Sequence, residues 1–178
     1  APQLNLYASY GRSFETPTNI ELAYRPDGLS GLNFDLQPSI SDQFEVGAKA
    51  QLGPATRLNV AVFNIQTDAE IVSARNTGGR SSYQNASGST RMGAELMLES
   101  TLSDGLTMHI ALTLLNARFD TSFRTCAPLA AFCNPITGAN TAVVPSGNRI
   151  PGVPNASFFA DLAYRNPALG LTAAVEVV

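Results

Sequence analysis

The stretch "RNTGGRSSY" (Arg75 to Tyr83) brings two arginines, two glycines and a tyrosine into one polar segment. A guanidinium is a planar fork of N–H donors that can grip a carboxylate through two bonds at once. An aromatic ring beside it can stack on a planar solute. Arg75, Arg80 and Tyr83 are therefore candidates for holding a small anion. Arg25 and Arg124, in other polar segments, complete the candidate ligand-binding set. Arg12, Arg149, Phe14, Tyr24 and Phe123 are further loop residues able to pair or stack. Taken singly, each also reads as an ordinary solvated side chain. Only their clustering points to binding.

Catalysis has less to work with. His109 is the only histidine and lies in a predicted strand. The serines of "ASGST" (Ala86 to Thr90) lack the strand–turn–helix setting of a nucleophile elbow. Glu95 and Glu99 flank Met97 on one strand face, where polar wall residues are a simpler reading than an acid/base pair. Cys126 and Cys133, in "CAPLAAFC", form a small disulfide if the compartment is oxidising, or are two free thiols. A metal site is not indicated, since there is no second cysteine pair. No catalytic residue, metal ligand or cofactor is assigned. "NAS" at Asn85 and Asn155 signals glycosylation only in a eukaryotic secretory setting.

The elements that must position these residues show a period of two. In "SDQFEVGAKAQLGPATRLNVAVFN" (Ser41 to Asn64), Phe44, Val46, Ala48, Ala50 and Leu52 share one face, then Leu58, Val60 and Val62 after a short break. The same alternation places Leu4, Leu6, Ala8 and Tyr10 together, and Ala94, Leu96 and Leu98. Met108, Ile110, Leu112 and Leu114 form another set, followed by Phe158, Ala160, Leu162 and Tyr164. Leu171, Ala173, Val175 and Val177 make the last. The pattern predicts an all-β chain of about seven antiparallel strands. "GPAT", "SDG" and "NPALG" are tight turns. Arg12 to Ser39, roughly Asp68 to Ser82, and Asp120 to Pro154 are long polar links. Short and long connections alternate, so an up-and-down sheet carries all its long loops at one end, as outer-membrane barrels do.

Composition agrees. The 178 residues carry a net charge of −3, which argues against capture of nucleic acid. Charged residues are 14%, against about a quarter in soluble domains. No apolar run reaches the roughly 18 residues of a membrane-spanning helix. The start "APQLNLYASY" lacks the pattern of a signal peptide. In the regular core of the strands no position on the apolar face is charged. A cation there would cost roughly 2–4 kcal/mol at a bilayer midplane. The opposite face carries Glu45, Lys49, Glu95, Glu99, His109, Asp161 and Glu176. A soluble β-sandwich also alternates, but its strands are usually about five or six residues long.

Three passages carry a resemblance. "NLYASYGRSFETPTNIELAYRPDGLSGLNFDLQPSISDQFEVGAKA" (Asn5 to Ala50) resembles the strand, long loop and strand of TonB-dependent outer-membrane receptors. "GGRSSYQNASGSTRMGAELMLES" (Gly78 to Ser100) resembles that family's descending strand. "GNRIPGVPNASFFADLAYR" (Gly147 to Arg165) resembles its strand start after a Pro-rich turn. Within the family, "FETPTNIELAYRPDGLSGLNFDLQPS" looks most like receptors for pyrroloquinoline quinone, although the family mostly takes up ferric siderophores. The resemblance implies a fragment of a 22-stranded transmembrane β-barrel in the outer membrane of a Gram-negative bacterium. Residues 1–178 would be partial barrel, with the plug domain, the TonB-binding segment and the C-terminal strands outside the fragment. It implies binding of a small anionic solute or ferric siderophore and import to the periplasm. Outer-membrane lipid is an implied partner, as is the TonB complex through the missing N-terminal part. A passive porin, a barrel-type adhesin, a barrel-embedded hydrolase and a soluble β-sandwich binding module are the competing readings.

Overall fold

The computed structural model describes residues 3–127, 130, 132–134 and 137–178. Its elements are β1 (Leu4–Glu15), α1 (Asn19–Leu22), β2 (Ser39–Leu52), β3 (Thr56–Asp68), β4 (Ile71–Thr77) and β5 (Arg80–Asn85). They continue with β6 (Gly88–Ser103), β7 (Leu106–Phe119), β8 (Phe123–Cys126), β9 (Thr141–Val144), β10 (Ala156–Asn166) and β11 (Leu171–Val177). Seven strands form one sheet in the order β1-β2-β3-β6-β7-β10-β11, while β4–β5 and β8–β9 are separate two-stranded hairpins. Every pairing in the large sheet is antiparallel. The chain runs up and down, as its alternating turns and links predict.

The register shows why the pattern folds this way. Leu6, Ala48, Val60, Leu96, Leu112 and Phe158 lie side by side across six strands. The next row is Ala8, Val46, Val62, Ala94, Leu114 and Ala156. On its other side runs Leu4, Ala50, Leu58, Leu98, Ile110, Ala160 and Val177. Each apolar set read from the sequence falls on this one side of the sheet. The opposite side holds rows such as Gln51, Arg57, Glu99, His109, Asp161 and Glu176. A slip of one residue in any strand would exchange the two faces.

What covers the apolar side is decided by exposure. Leu6 is 71% exposed, Val62 52% and Phe158 45%. The buried hydrophobic residues are Leu36, Ala74, Ala86, Ala117, Phe119, Cys126 and Cys133, in the loops and at the loop end of β7. Among the described residues no second sheet packs over the greasy face, as a β-sandwich core would require. Apart from β11, the strands of the sheet run from 11 to 16 residues, long enough to cross a bilayer at a tilt.

Two glycines on the polar side admit large rings. A Cβ on Gly47 would lie 2.5 Å from the Tyr7 ring, and one on Gly93 2.6 Å from the Phe63 ring. Tyr7 lies across Gly47 and donates its hydroxyl to Glu45 Oε1 at 2.7 Å. Lys49 Nζ sits 5.2 Å from the centre of the same ring.

The sequence reading of roughly Asp68 to Ser82 as one polar link needs correction. Residues 71–85 fold into the β4–β5 hairpin, and the wall strand β6 begins only at Gly88. Gly78 and Gly79 have φ of +62° and +75°, the left-handed pair that a two-residue hairpin turn requires. The third link likewise contains a hairpin, with Phe123–Cys126 against Thr141–Val144.

Candidate functional site

The short turns lie at one end of the sheet and three long loops at the other, spanning 16–38, 69–87 and 120–155. The loops are tied to one another rather than extended separately. In the first, Thr18 and Glu21 form a reciprocal capping box that starts α1. Asn33 Nδ2 then donates to the Tyr83 carbonyl at 2.8 Å. The Asn85 amide binds both polar backbone groups of Gln37, at 2.8 and 2.9 Å, and also donates to the Ala69 carbonyl at 2.8 Å. The third loop joins where Thr125 Oγ1 donates to the Ala74 carbonyl at 3.2 Å and Gln84 Nε2 donates to the Arg124 carbonyl.

At the centre of this assembly Cys126 and Cys133 form a disulfide. The pair is buried against Ala74, and Cys133 N donates to the Pro26 carbonyl at 3.1 Å. Pro128, Leu129 and Ala131, inside the loop it closes, lie outside the described residues. A second anchor joins the β4–β5 hairpin to the wall. Glu70 receives Arg91 at 2.7 and 3.0 Å and Ser89 Oγ at 2.7 Å. Burial pushes the Glu70 carboxyl up, but hydrogen bonds from Arg91 and Ser89 and the Arg91 charge outweigh it and hold it below its usual range.

The loops enclose two neighbouring clefts. One, of about 480 Å³, lies between the first loop and the hairpin and is lined by Tyr24, Arg25, Arg75, Arg80 and Ser82 among others. It contains three arginines and no acid. Arg80 lies over the Tyr24 ring, 5.3 Å from its centre. Among the described residues, buried Arg75 Nε and Ser82 Oγ have no hydrogen-bond partner. The smaller cleft, of about 290 Å³, includes Arg25, Asp27, Asp35, Tyr83, Gln84 and Asn85. Its acids make it the poorer host for an anion.

The structure therefore divides the predicted set. Arg25, Arg75 and Arg80 share the larger cleft, and Tyr83 lines the smaller one. Arg25 is already neutralised, 2.7 Å from Asp27 and 3.7 Å from Asp35. Hydrogen bonding to Asp27, with that residue's charge, raises the Arg25 pKa, and the same bond holds the Asp27 carboxyl below its usual range. Arg124 lines neither cleft; its Nη1 donates to Thr141 Oγ1 at 3.2 Å across the β8–β9 hairpin. Phe123 packs edge-on against Phe119, with ring centres 4.8 Å apart. Ser82 was not singled out in the sequence, because nothing local marks a serine that will be buried.

An apolar outer face, a polar inner face, tight turns at one end and interlocked loops at the other define the wall of a transmembrane β-barrel. The family described as "TonB dependent receptor-like, beta-barrel" matches residues 1–177, and the chain belongs to it. TonB-dependent receptors are transporters, not enzymes.

Three solved structures are similar in fold. The copper transporter OprC aligns with a TM-score of 0.63 at 16% identity, over 92% of this chain and 23% of its own. The alcaligin outer-membrane receptor FauA from Bordetella pertussis gives 0.53 at 22%, over 97% and 26%. A double mutant of the Serratia marcescens hemophore receptor HasR, in complex with its hemophore HasA and heme, gives 0.63 at 23%, over 98% and 29%. The chain thus spans about a quarter of the length of these proteins.

Proposed function

We propose that this chain forms part of the wall and the extracellular loops of an outer-membrane transporter of a Gram-negative bacterium. The complete protein binds a scarce anionic solute and imports it to the periplasm, drawing energy from the TonB complex. The plug domain, the TonB-binding segment and the remaining barrel strands belong to the rest of that protein. Family membership supports the transport reading, and the acid-free arginine cleft supports an anionic cargo. The named neighbours are a copper transporter, an alcaligin receptor and a hemophore receptor with heme, so fold alone selects no cargo. Pyrroloquinoline quinone, planar and rich in carboxylates, suits two guanidiniums beside the Tyr24 ring, and a ferric siderophore is the competing cargo.

Arg75 and Arg80 are the residues on which the reading depends, since neither is ion-paired among the described residues. Equilibrium binding of pyrroloquinoline quinone and a panel of ferric siderophores to the full-length receptor should identify one preferred anion. Arg75→Ala or Arg80→Ala should weaken it about tenfold, the scale of one charge-assisted hydrogen bond. Unchanged affinity in both variants would reject the cleft. Uptake that persists after deletion of TonB would indicate a passive porin instead.

A further inference from the structure

Two arginines meet where the third loop returns alongside β7. Phe119 N donates to the Asn148 carbonyl at 2.9 Å, and Ile150 N donates to the Ala117 carbonyl at 3.1 Å. Between these bonds Arg118 and Arg149 face each other in an antiparallel bridge. A pair so placed exchanges no backbone bond of its own. It is the closer kind of cross-strand pair, with Cα atoms about 4.5 Å apart. Like charges directly opposite are destabilising. Both arginines are exposed, and neither is ion-paired among the described residues.

Their place on the wall is specific. Arg118 follows Leu112, Leu114 and Asn116 in alternation, so it stands on the apolar side, and Arg149 opposite shares that side. Arg118 ends the row Arg12, Asp42, Gln66, Thr90 and Arg118. Between it and the apolar row of Val46 and Leu114 lies only Tyr10, Phe44, Asn64, Met92 and Asn116. Successive rows are about 7 Å apart along a strand. The pair therefore sits just past the apolar belt on the long-loop side, at the depth of lipid headgroups. At the far end of the same row Arg12 has Asp42 at 3.8 Å. Among the described residues the Arg118–Arg149 end forms no ion pair; the acids of the next row, Asp68 and Asp120, gather at Gly88, with carboxylate oxygens 3.9 and 3.7 Å from its Cβ position, and neither pairs with the arginines.

Both side chains are oriented by neutral acceptors. Arg118 Nε donates to Asn116 Oδ1 at 2.8 Å and its Nη1 to the Gly147 carbonyl at 2.7 Å. Arg149 Nη2 donates to the Val153 carbonyl at 3.3 Å. Among the described residues their remaining guanidinium N–H groups have no acceptor. We infer that Arg118 and Arg149 bind the phosphomonoester headgroup of a lipid in the outer leaflet. A dianion between the guanidiniums turns a repulsive pair into two charge-assisted contacts, and its acyl chains lie along the apolar rows below. The site depends on the apolar face meeting lipid and is independent of the solute carried.

Native mass spectrometry of the full-length receptor, released from phosphatidylcholine nanodiscs containing phosphatidic acid, tests the site. The receptor should retain phosphatidic acid in preference to phosphatidylcholine and to phosphate-free diacylglycerol. Arg118→Gln or Arg149→Gln should each reduce retention about tenfold. Arg149→Glu places a carboxylate opposite Arg118; it should raise the unfolding temperature and abolish retention, so loss of binding cannot be ascribed to misfolding. Equal retention of diacylglycerol, or undiminished phosphatidic acid on the Arg149→Glu protein, would overturn the assignment. Displacement of the lipid by an equal concentration of soluble glycerol 3-phosphate would assign the site to free phosphate and overturn the lipid reading. Solute uptake is a separate readout, so failure here leaves the transport proposal standing.

Discussion

Single residues on the polar face do more than supply polarity. Gly47 exists so that Tyr7 can lie flat across the neighbouring strand, with its hydroxyl on Glu45. Gly47→Ala should destabilise the full barrel by about 1–3 kcal/mol through overpacking. Removing the ring as well, in Gly47→Ala with Tyr7→Ala, should recover part of that loss. Urea midpoints of the four proteins in the cycle measure it; simple additivity would show that the ring and the missing Cβ are unrelated. Glu70 offers a second test at this scale. Its folded pKa is depressed below the ordinary value of 4.5. Its ion pair should therefore be fully effective above about that value and fail as pH falls through the lower folded value. Proteolysis of the β4–β5 hairpin should rise in that acidic window. In Glu70→Gln the protection should be weaker at neutral pH and nearly independent of pH.

At the scale of elements, the wall and the loops follow different physics. The wall was legible in the sequence because a half-greasy strand must alternate, and rows from Leu4 to Val177 confirm the faces read from each segment. The hairpin at 71–85 has no sustained apolar alternation on either face, and a register shift interrupts it between Ser73 and Arg75, although the paired glycines at 78 and 79 were a usable turn signal. The cleft was legible only in part. Arg75 and Arg80 attract notice together, but Tyr24, beneath Arg80, lies on another loop, held there through bonds to backbone carbonyls that leave no trace in side-chain pattern. The disulfide belongs to this loop assembly. A bridge closing so short a loop contributes about 2–3 kcal/mol in the chain-entropy picture. Replacing Cys126 and Cys133 by serine should thus raise hydrogen exchange in residues 71–85, 123–126 and 141–144 while leaving the barrel's unfolding temperature unchanged. Equal loosening of wall and loops would show that they fold as one unit.

For the molecule as a whole, one sheet separates two solvents. Spin labels at Val46, Leu96 and Leu112 of the complete receptor in bilayers should be relaxed by oxygen, which concentrates among acyl chains. Labels at Glu95 and His109, on the other face, should respond to a water-soluble nickel complex. The reverse result would turn the barrel inside out and remove the basis for both proposed sites. The sheet ends at β1 and β11, each paired on one side only. In the complete barrel both edges need neighbours, because bilayer hydrocarbon supplies no partner for a bare backbone.

The confinement of buried apolar side chains to the loops and the loop end of β7 carries an evolutionary consequence. Along the wall, fluid lipid fits itself to whatever profile it meets, so exchanges among Leu, Val, Ile and Ala are cheap and shape is free to drift. Around Ala74 and the cystine, neighbouring atoms are fixed in place and a single added methyl must displace one of them. The loop surface proposed to meet cargo is thus the rigidly specified part, and the scaffold beneath it is the part that sequence change can wander through.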